Sequence, residues 1–131
     1  MRFEIPTIVA LLSSFASAVS VCRPHSKLNP FNDSRGCTIF KDQTCGSDPG
    51  FAIPGDSGYC ADLNNLFADY DGKVRSFRVE KGYQCEFYLD IGCPAYKSHI
   101  SYGSLTESVN VPTLNSTYDR KIRSIYCCNL N

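Results

Sequence analysis

Cys37-Thr38-Ile39-Phe40-Lys41-Asp42-Gln43-Thr44-Cys45 returns 48 residues later as Cys85-Glu86-Phe87-Tyr88-Leu89-Asp90-Ile91-Gly92-Cys93, with no gap needed to hold the copies in register. The echo continues: Tyr70-Asp71-Gly72-Lys73-Val74-Arg75-Ser76 comes back as Tyr118-Asp119-Arg120-Lys121-Ile122-Arg123-Ser124, and Gly55/Gly103 and Leu66/Leu114 match in between. Repeats of this length form solenoids or propeller blades when at least about three copies stack and cover one another's apolar faces. Two copies must instead close on each other.

Within each copy the apolar residues come in short, often alternating runs. Tyr83, Cys85 and Phe87 stand against Gln84, Glu86 and Tyr88, which is the period of a strand. Turn-rich stretches separate the runs: residues 46–50 and 54–58 in the first copy and Tyr102-Gly103-Ser104 in the second. One helical turn is expected over residues 62–67, capped by Asp62. The chain is therefore expected to be all-β. Each copy has room for about four short strands, a Greek key whose inner face it cannot cover alone. Packing two keys, at about residues 37–82 and 83–131, gives a two-sheet sandwich related by the internal 48-residue repeat. Its expected core is Ile39, Val74, Phe77, Val79, Phe87, Ile122 and Ile125.

The segment ahead of the repeats has a different character. Residues 1–18 have the features of a secretory signal peptide: Arg2, the apolar run Ile8-Val9-Ala10-Leu11-Leu12, and an Ala16-Ser17-Ala18 cleavage site. The run falls far short of the about 20 apolar residues a bilayer span needs, so no membrane span is expected. Residues 19–36, with Pro24 and Pro30, are expected to form an extended arm tied down by Cys22, leaving residues 37–131 as the domain proper. Cutting after Ala18 leaves 131 − 18 = 113 residues, one small domain with a modest core. All eight cysteines lie beyond that cut, as expected for an extracellular protein, and four disulfides are expected. The sequons at Asn32 and Asn115 are candidate glycosylation sites. With 13 basic and 13 acidic residues and no run of like charge, nothing directs the chain to nucleic acid.

The equal spacing of Cys37 and Cys45 and of Cys85 and Cys93 leads to the expectation that each pair closes one hairpin. On the chain-entropy model each such loop contributes roughly 2.6 kcal/mol, and the two together an amount comparable with the net stability of a small domain. Cys22, Cys60, Cys127 and Cys128 remain, and Cys127 and Cys128 should serve different partners because neighbours on a strand face opposite ways. Which of them takes Cys22 and which Cys60 stays open. No CxxC pair occurs and the two histidines, His25 and His99, are isolated, so no metal site is expected.

The aromatic-x-Asp turns at Phe40-Lys41-Asp42 and Tyr88-Leu89-Asp90, each followed about thirty residues on by Asp-x-x-hydrophobic-x-Ser-hydrophobic, resemble the βγ-crystallin Greek-key domain. The resemblance runs from Cys37 to Cys128 and is closest to the small cysteine-rich secreted members of fungal type, whose relatives include microbial killer toxins and a metalloproteinase inhibitor. It implies a pair of packed Greek keys. It also implies a calcium motif of two Asn/Asp residues, two variable positions, Ser/Thr and Ser, whose counterparts here are Asp71, Arg75 and Ser76, and Asp119, Arg123 and Ser124. The motif is degenerate: the second acidic position is lost in both copies, and the hydroxyl position is arginine, which offers donors where calcium wants oxygen. A fixed positive charge about 5 Å from a divalent ion opposes it by roughly 7 kcal/mol at an effective dielectric near 20, close to the binding energy of a micromolar site. No cofactor is expected, and calcium binding is expected to be weak or absent. Each arginine is placed to satisfy Asp71 or Asp119 where an ion would have been.

General acid/base chemistry needs a group titrating near neutrality beside a nucleophile, and neither histidine has such a setting, so an enzyme is not expected. The expected function is that of a small secreted, disulfide-stabilised protein, effector-like or toxin-like, acting on a host or a competing microbe by binding. Its target would be an extracellular protein or a cell-surface glycan, and a monomer is expected. The alternatives are a secreted proteinase inhibitor and a structural extracellular protein with a degenerate calcium site. Candidate contact residues are Phe51, Tyr96, His99 and Tyr102, in residues 46–58 and 94–106, which are expected to be loops on a rigid scaffold.

Overall fold

The computed structural model describes residues 34–45, 50–65 and 69–130; the expected signal peptide, Cys22, His25 and Asn32 lie outside them. Eight strands form: β1 (Arg35–Phe40), β2 (Phe51–Pro54), β3 (Ala61–Asp62), β4 (Ser76–Val79), β5 (Tyr83–Tyr88), β6 (His99–Ser104), β7 (Val109–Val111) and β8 (Ser124–Asn129). Single 3-10 turns follow β1 at Gln43–Cys45 and β3 at Leu63–Asn65. The second stands where a helical turn was expected. The Asp62 side chain serves another segment instead: its Oδ1 accepts from the Gly92 amide at 2.6 Å.

The strands lie in two four-stranded antiparallel sheets, ordered β2-β1-β4-β7 and β3-β8-β5-β6. Each sheet holds three strands from one half of the chain and one from the other, because β7 pairs with β4 and β3 pairs with β8. The two halves are thus exchanged by one strand as well as packed face to face. The register of β1 on β4 (Cys37 opposite Val79, Ile39 opposite Phe77) recurs at a 48-residue offset in β5 on β8 (Cys85 opposite Cys127, Phe87 opposite Ile125).

Between the sheets, every residue of the expected core is buried, with Phe77 of one sheet stacked on Phe87 of the other at 3.8 Å between ring centroids. Tyr70, Leu114 and Tyr118 join that core. Burying a side chain of this size stabilises by about 1.5–3 kcal/mol, so the sandwich interior is the main favourable term. Close approach of the strands also explains two glycines. A Cβ on Gly36 would lie 2.6 Å from the Cβ of Cys127, and one on Gly103 would run into the Tyr83 carbonyl oxygen.

The disulfide bonds depart from the hairpin expectation. Cys85 is bonded to Cys127, its directly opposed neighbour on β8, and Cys93 is bonded to Cys60. Cys37 carries a free thiol, and Cys45 is disulfide-bonded to a partner outside the described residues. The Cys37–Cys45 and Cys85–Cys93 pairings fail because one cysteine of each pair sits mid-strand facing the core while the other lies beyond the strand end. Cys37 has no partner of the Cys127 kind because the equivalent position across the ladder is Val79. Cys128, next to Cys127 on the other face of β8, is a half-buried free thiol, so Cys127 and Cys128 do not take Cys22 and Cys60 as expected, and with Cys37 also free the eight cysteines do not form four disulfides. Among the described residues no helix is long and apolar enough to cross a membrane.

Candidate functional site

The degenerate calcium motifs are where the two halves meet. Each motif ends in a serine that fastens the turn after the first strand of its own half. The Ser76 hydroxyl donates to the Asp42 carbonyl at 2.5 Å and accepts from the Cys45 amide at 2.9 Å. The Ser124 hydroxyl likewise donates to the Asp90 carbonyl at 2.5 Å and accepts from the Cys93 amide at 3.1 Å. Two backbone hydrogen bonds then tie the motifs together, from the Gly72 amide to the Ile122 carbonyl at 3.1 Å and from the Arg120 amide to the Val74 carbonyl at 3.0 Å.

That side-by-side arrangement lets each arginine reach across to the other half. Arg75 grips Asp119 through Nε and Nη2, both at 3.0 Å, and Arg123 grips Asp71 through Nε at 3.0 Å and Nη2 at 2.9 Å. Two parallel N–H···O bonds per pair fix geometry as well as charge. The hydrogen bond to Asp119 raises the Arg75 guanidinium further above its ordinary range, and the bond to Asp71 does the same for Arg123. Both oxygens of each carboxylate are therefore engaged by a guanidinium, and the hydroxyl ligand position is a cation. The residues present do not fit calcium: the ligand oxygens are occupied and the positive charge is already supplied.

The other residues singled out in the sequence are scattered. Phe51 is half-buried on β2, its ring 5.6 Å from that of Tyr70, so it belongs to the core edge. His99 and Tyr102 lie on β6, a strand inside what was expected to be a loop, as β2 lies inside the other. Tyr102 packs edge-on to Phe77 at 5.6 Å. The His99 ring lies 4.6 Å from that of Tyr88 and its Nδ1 donates to the Lys97 carbonyl at 2.8 Å, so that nitrogen faces neither a hydroxyl nor a thiol. Tyr88 is buried and donates to Glu86 at 2.5 Å, and burial followed by that bond pushes its phenol well above the usual range. Tyr96 alone of the four candidates stands out from the surface, 86% exposed. Tyr59, not anticipated, is 77% exposed and adjoins Cys60, so the Cys60–Cys93 bond tethers the segments that carry both tyrosines. Asn115 is exposed, and its side-chain oxygen accepts from the Thr117 amide at 2.9 Å.

The sulfur atoms of Cys37, Cys85 and Cys127 gather within 4.8 Å of one another in the core. Two of them are spent in the disulfide, and burial pushes the Cys37 thiol far above its ordinary range, with Glu80 adding to the effect. In the oxidised protein this trio is packing, with no thiolate to offer a metal.

These features define an all-β, disulfide-bonded domain of the βγ-crystallin fold. No protein-family model and no curated protein matches the sequence, whereas solved structures match the fold. A βγ-crystallin domain from Flavobacterium johnsoniae superposes with a TM-score of 0.52 at 22% identity, covering 72% of this chain and 94% of that one. The N-terminal domain of Protein S gives 0.56 at 16% identity, over 72% and 96%. A structure described under the evolution of the eye lens βγ-crystallin domain fold gives 0.59 at 17%, over 76% and 92%. At such identities the likeness is one of fold.

Proposed function

We propose that this chain is a small secreted protein that works by binding, effector-like or toxin-like towards a host or a competing microbe, and that it has no enzymatic activity. The observation that carries this is the replacement of a regulatable ion site by two reciprocal Arg–Asp pairs, reinforced by one disulfide across the halves, Cys60–Cys93, and one within the second half, Cys85–Cys127. The result is a scaffold whose rigidity depends on no ligand, suited to presenting exposed residues outside the cell. Secretion through a signal peptide ending at Ala18 is supported by the disulfides, which persist in oxidising compartments. Asn115 in its exposed turn suits a glycan. The test is addition of the folded, oxidised protein to plant tissue and microbial cultures, scoring cell death and growth. The proposal predicts an effect abolished by reduction and retained in His99→Ala. Loss of the effect in correctly folded His99→Ala would reinstate the enzyme.

One observation favours a second reading, a proteinase inhibitor. The segment between Cys93 and β6 is anchored by the Cys60–Cys93 bond, turned by the Lys97 amide donating to the Pro94 carbonyl at 2.9 Å, and braced by Lys97 against Asp90 at 3.3 Å. It lifts Tyr96 into solvent, the geometry a loop needs to enter a protease cleft. A panel of purified proteases separates the readings: inhibition lost in Tyr96→Ala supports the inhibitor, and no inhibition removes it.

A further inference from the structure

Beside the Arg75–Asp119 pair lies a surface cavity of about 370 Å³ lined by Lys41, Asp42, Gly72, Lys73, Arg75 and Arg120. Its size is within the range of about 300–1,000 Å³ typical of small-molecule sites. Four cations line it. Asp42 is the one acid in the lining, and two further carboxylates pair with lining cations: Asp119, held by Arg75, and Asp69, 3.8 Å from Lys73. Four positive charges thus meet three negative ones, an excess gathered in a chain whose formal net charge is zero.

Two of the donors are held in place. Asp119 takes two of the five N–H groups of Arg75 and leaves three. Lys41 lies over the Tyr70 ring at 4.8 Å. Arg120 joins the lining from the other half of the chain and forms no ion pair among the described residues. It does so from φ 60°, a left-handed conformation that disfavours a side chain. Its counterpart at the 48-residue offset is Gly72, at φ 70°, which adopts that conformation without strain. The counterpart of Lys41 is Leu89, and that of Asp42 is Asp90, which is braced by Lys97. Mapped through the repeat, the equivalent place has Leu89 for Lys41 and Gly72 for Arg120 while Arg120 itself stands for Gly72, so it carries three cations, Arg120, Lys121 and Arg123, against four here, one of the four being an arginine where the backbone favours glycine.

The geometry points to this cavity as a binding site for a phosphate or sulfate ester, an anion in the place where the fold could have held a cation. Guanidinium and ammonium side chains around one concave surface suit the several acceptor oxygens of such a group. The inference deepens the binding-protein proposal, on which it rests for its purpose but not for its chemistry.

The test is an amide NMR titration of the oxidised protein at low salt with inorganic phosphate, pyrophosphate and sulfate, alongside Lys41→Leu/Arg120→Gly, which installs the residues of the equivalent place. Saturable shifts centred on Lys41, Gly72, Lys73, Arg75 and Arg120 are expected. Binding should weaken about tenfold for each cation removed, ~1.4 kcal/mol apiece, so roughly a hundredfold in the double variant. The variant should melt no lower than the wild type, since glycine relieves the backbone at position 120. Absence of saturable shifts, or shifts unchanged in the variant, would overturn the site. Co-sedimentation with phosphatidylcholine vesicles containing phosphatidic acid, competed by pyrophosphate, would place the ester on a lipid headgroup; soluble binding without it would place the ester on a soluble molecule. Phosphate binding by a protein inert in tissue and culture would sink the effector reading alone, and an active protein that binds no phosphate would sink this site alone.

Discussion

Changing Val79 to cysteine should create a disulfide that the first half of the chain lacks. Cys37 and Val79 are directly opposed across β1 and β4, as Cys85 and Cys127 are across β5 and β8, where the bond exists with Cα atoms 4.0 Å apart. The native bond spans 42 residues of sequence, and 79 − 37 gives the same span for the new one. On the chain-entropy model a closed loop of this length stabilises by about 4 kcal/mol, an upper figure for an engineered bond. At roughly 4–8 °C per kcal/mol for a domain near 100 residues, the melting temperature should rise by on the order of 15–30 °C at the limit, and by less if the new bond distorts the ladder. Thiol titration in denaturant should find one free thiol fewer than in the wild type, whose described residues hold two, Cys37 and Cys128. Three free thiols in Val79→Cys would refute the equivalence of the two ladders, as would a new bond with no gain in melting temperature.

In the folded wild type a charged alkylating reagent should label Cys128, which is half-buried beside a surface cavity, and spare Cys37, which is 0% exposed, until the protein unfolds; peptide mapping gives the order directly. Asp56 accepts from Asn129 at 2.9 Å and from Tyr83 at 3.0 Å, and these bonds, Asn129 first, lower its carboxyl below the ordinary 3.8. A depressed carboxylate contributes stability that is present above its unfolded value and lost as pH falls through the folded one. Asp56→Asn should therefore melt lower than wild type at neutral pH, with the gap closing as the pH drops below 3.8; a gap that widens on acidification would contradict the assignment.

The core and the sandwich were legible because alternation and the 48-residue echo are properties of the chain itself. Ile39, Val74, Phe77, Val79, Phe87, Ile122 and Ile125 all turn inward as the pattern requires. The exchange of β3 and β7 between sheets was not legible, since an internal repeat does not say whether a strand pairs within its own copy. β6 was hidden for a different reason. Gly103 resembles a turn residue, yet it sits mid-strand because the Tyr83 backbone leaves no room for a side chain. The disulfides misled because equal spacing suggested two equal staples. The informative feature was an inequality, valine at 79 against cysteine at 127, which leaves Cys37 without a mate. At the motif, arginine in the hydroxyl position announced an Asp partner, but only the side-by-side docking of the two loops shows that each arginine serves the carboxylate of the other half.

The claim on which the rest depends is that these crossed Arg–Asp pairs stand in for calcium. Calorimetric melts of the oxidised protein in excess calcium and in chelator test it most directly, with Arg75→Ser/Arg123→Ser as the companion. The two wild-type curves should coincide, while the double variant should melt lower in chelator and recover part of the loss when calcium is added. A rise of several degrees in wild type on adding calcium would show that the guanidiniums yield their carboxylates to the ion, and the account would be wrong at its centre.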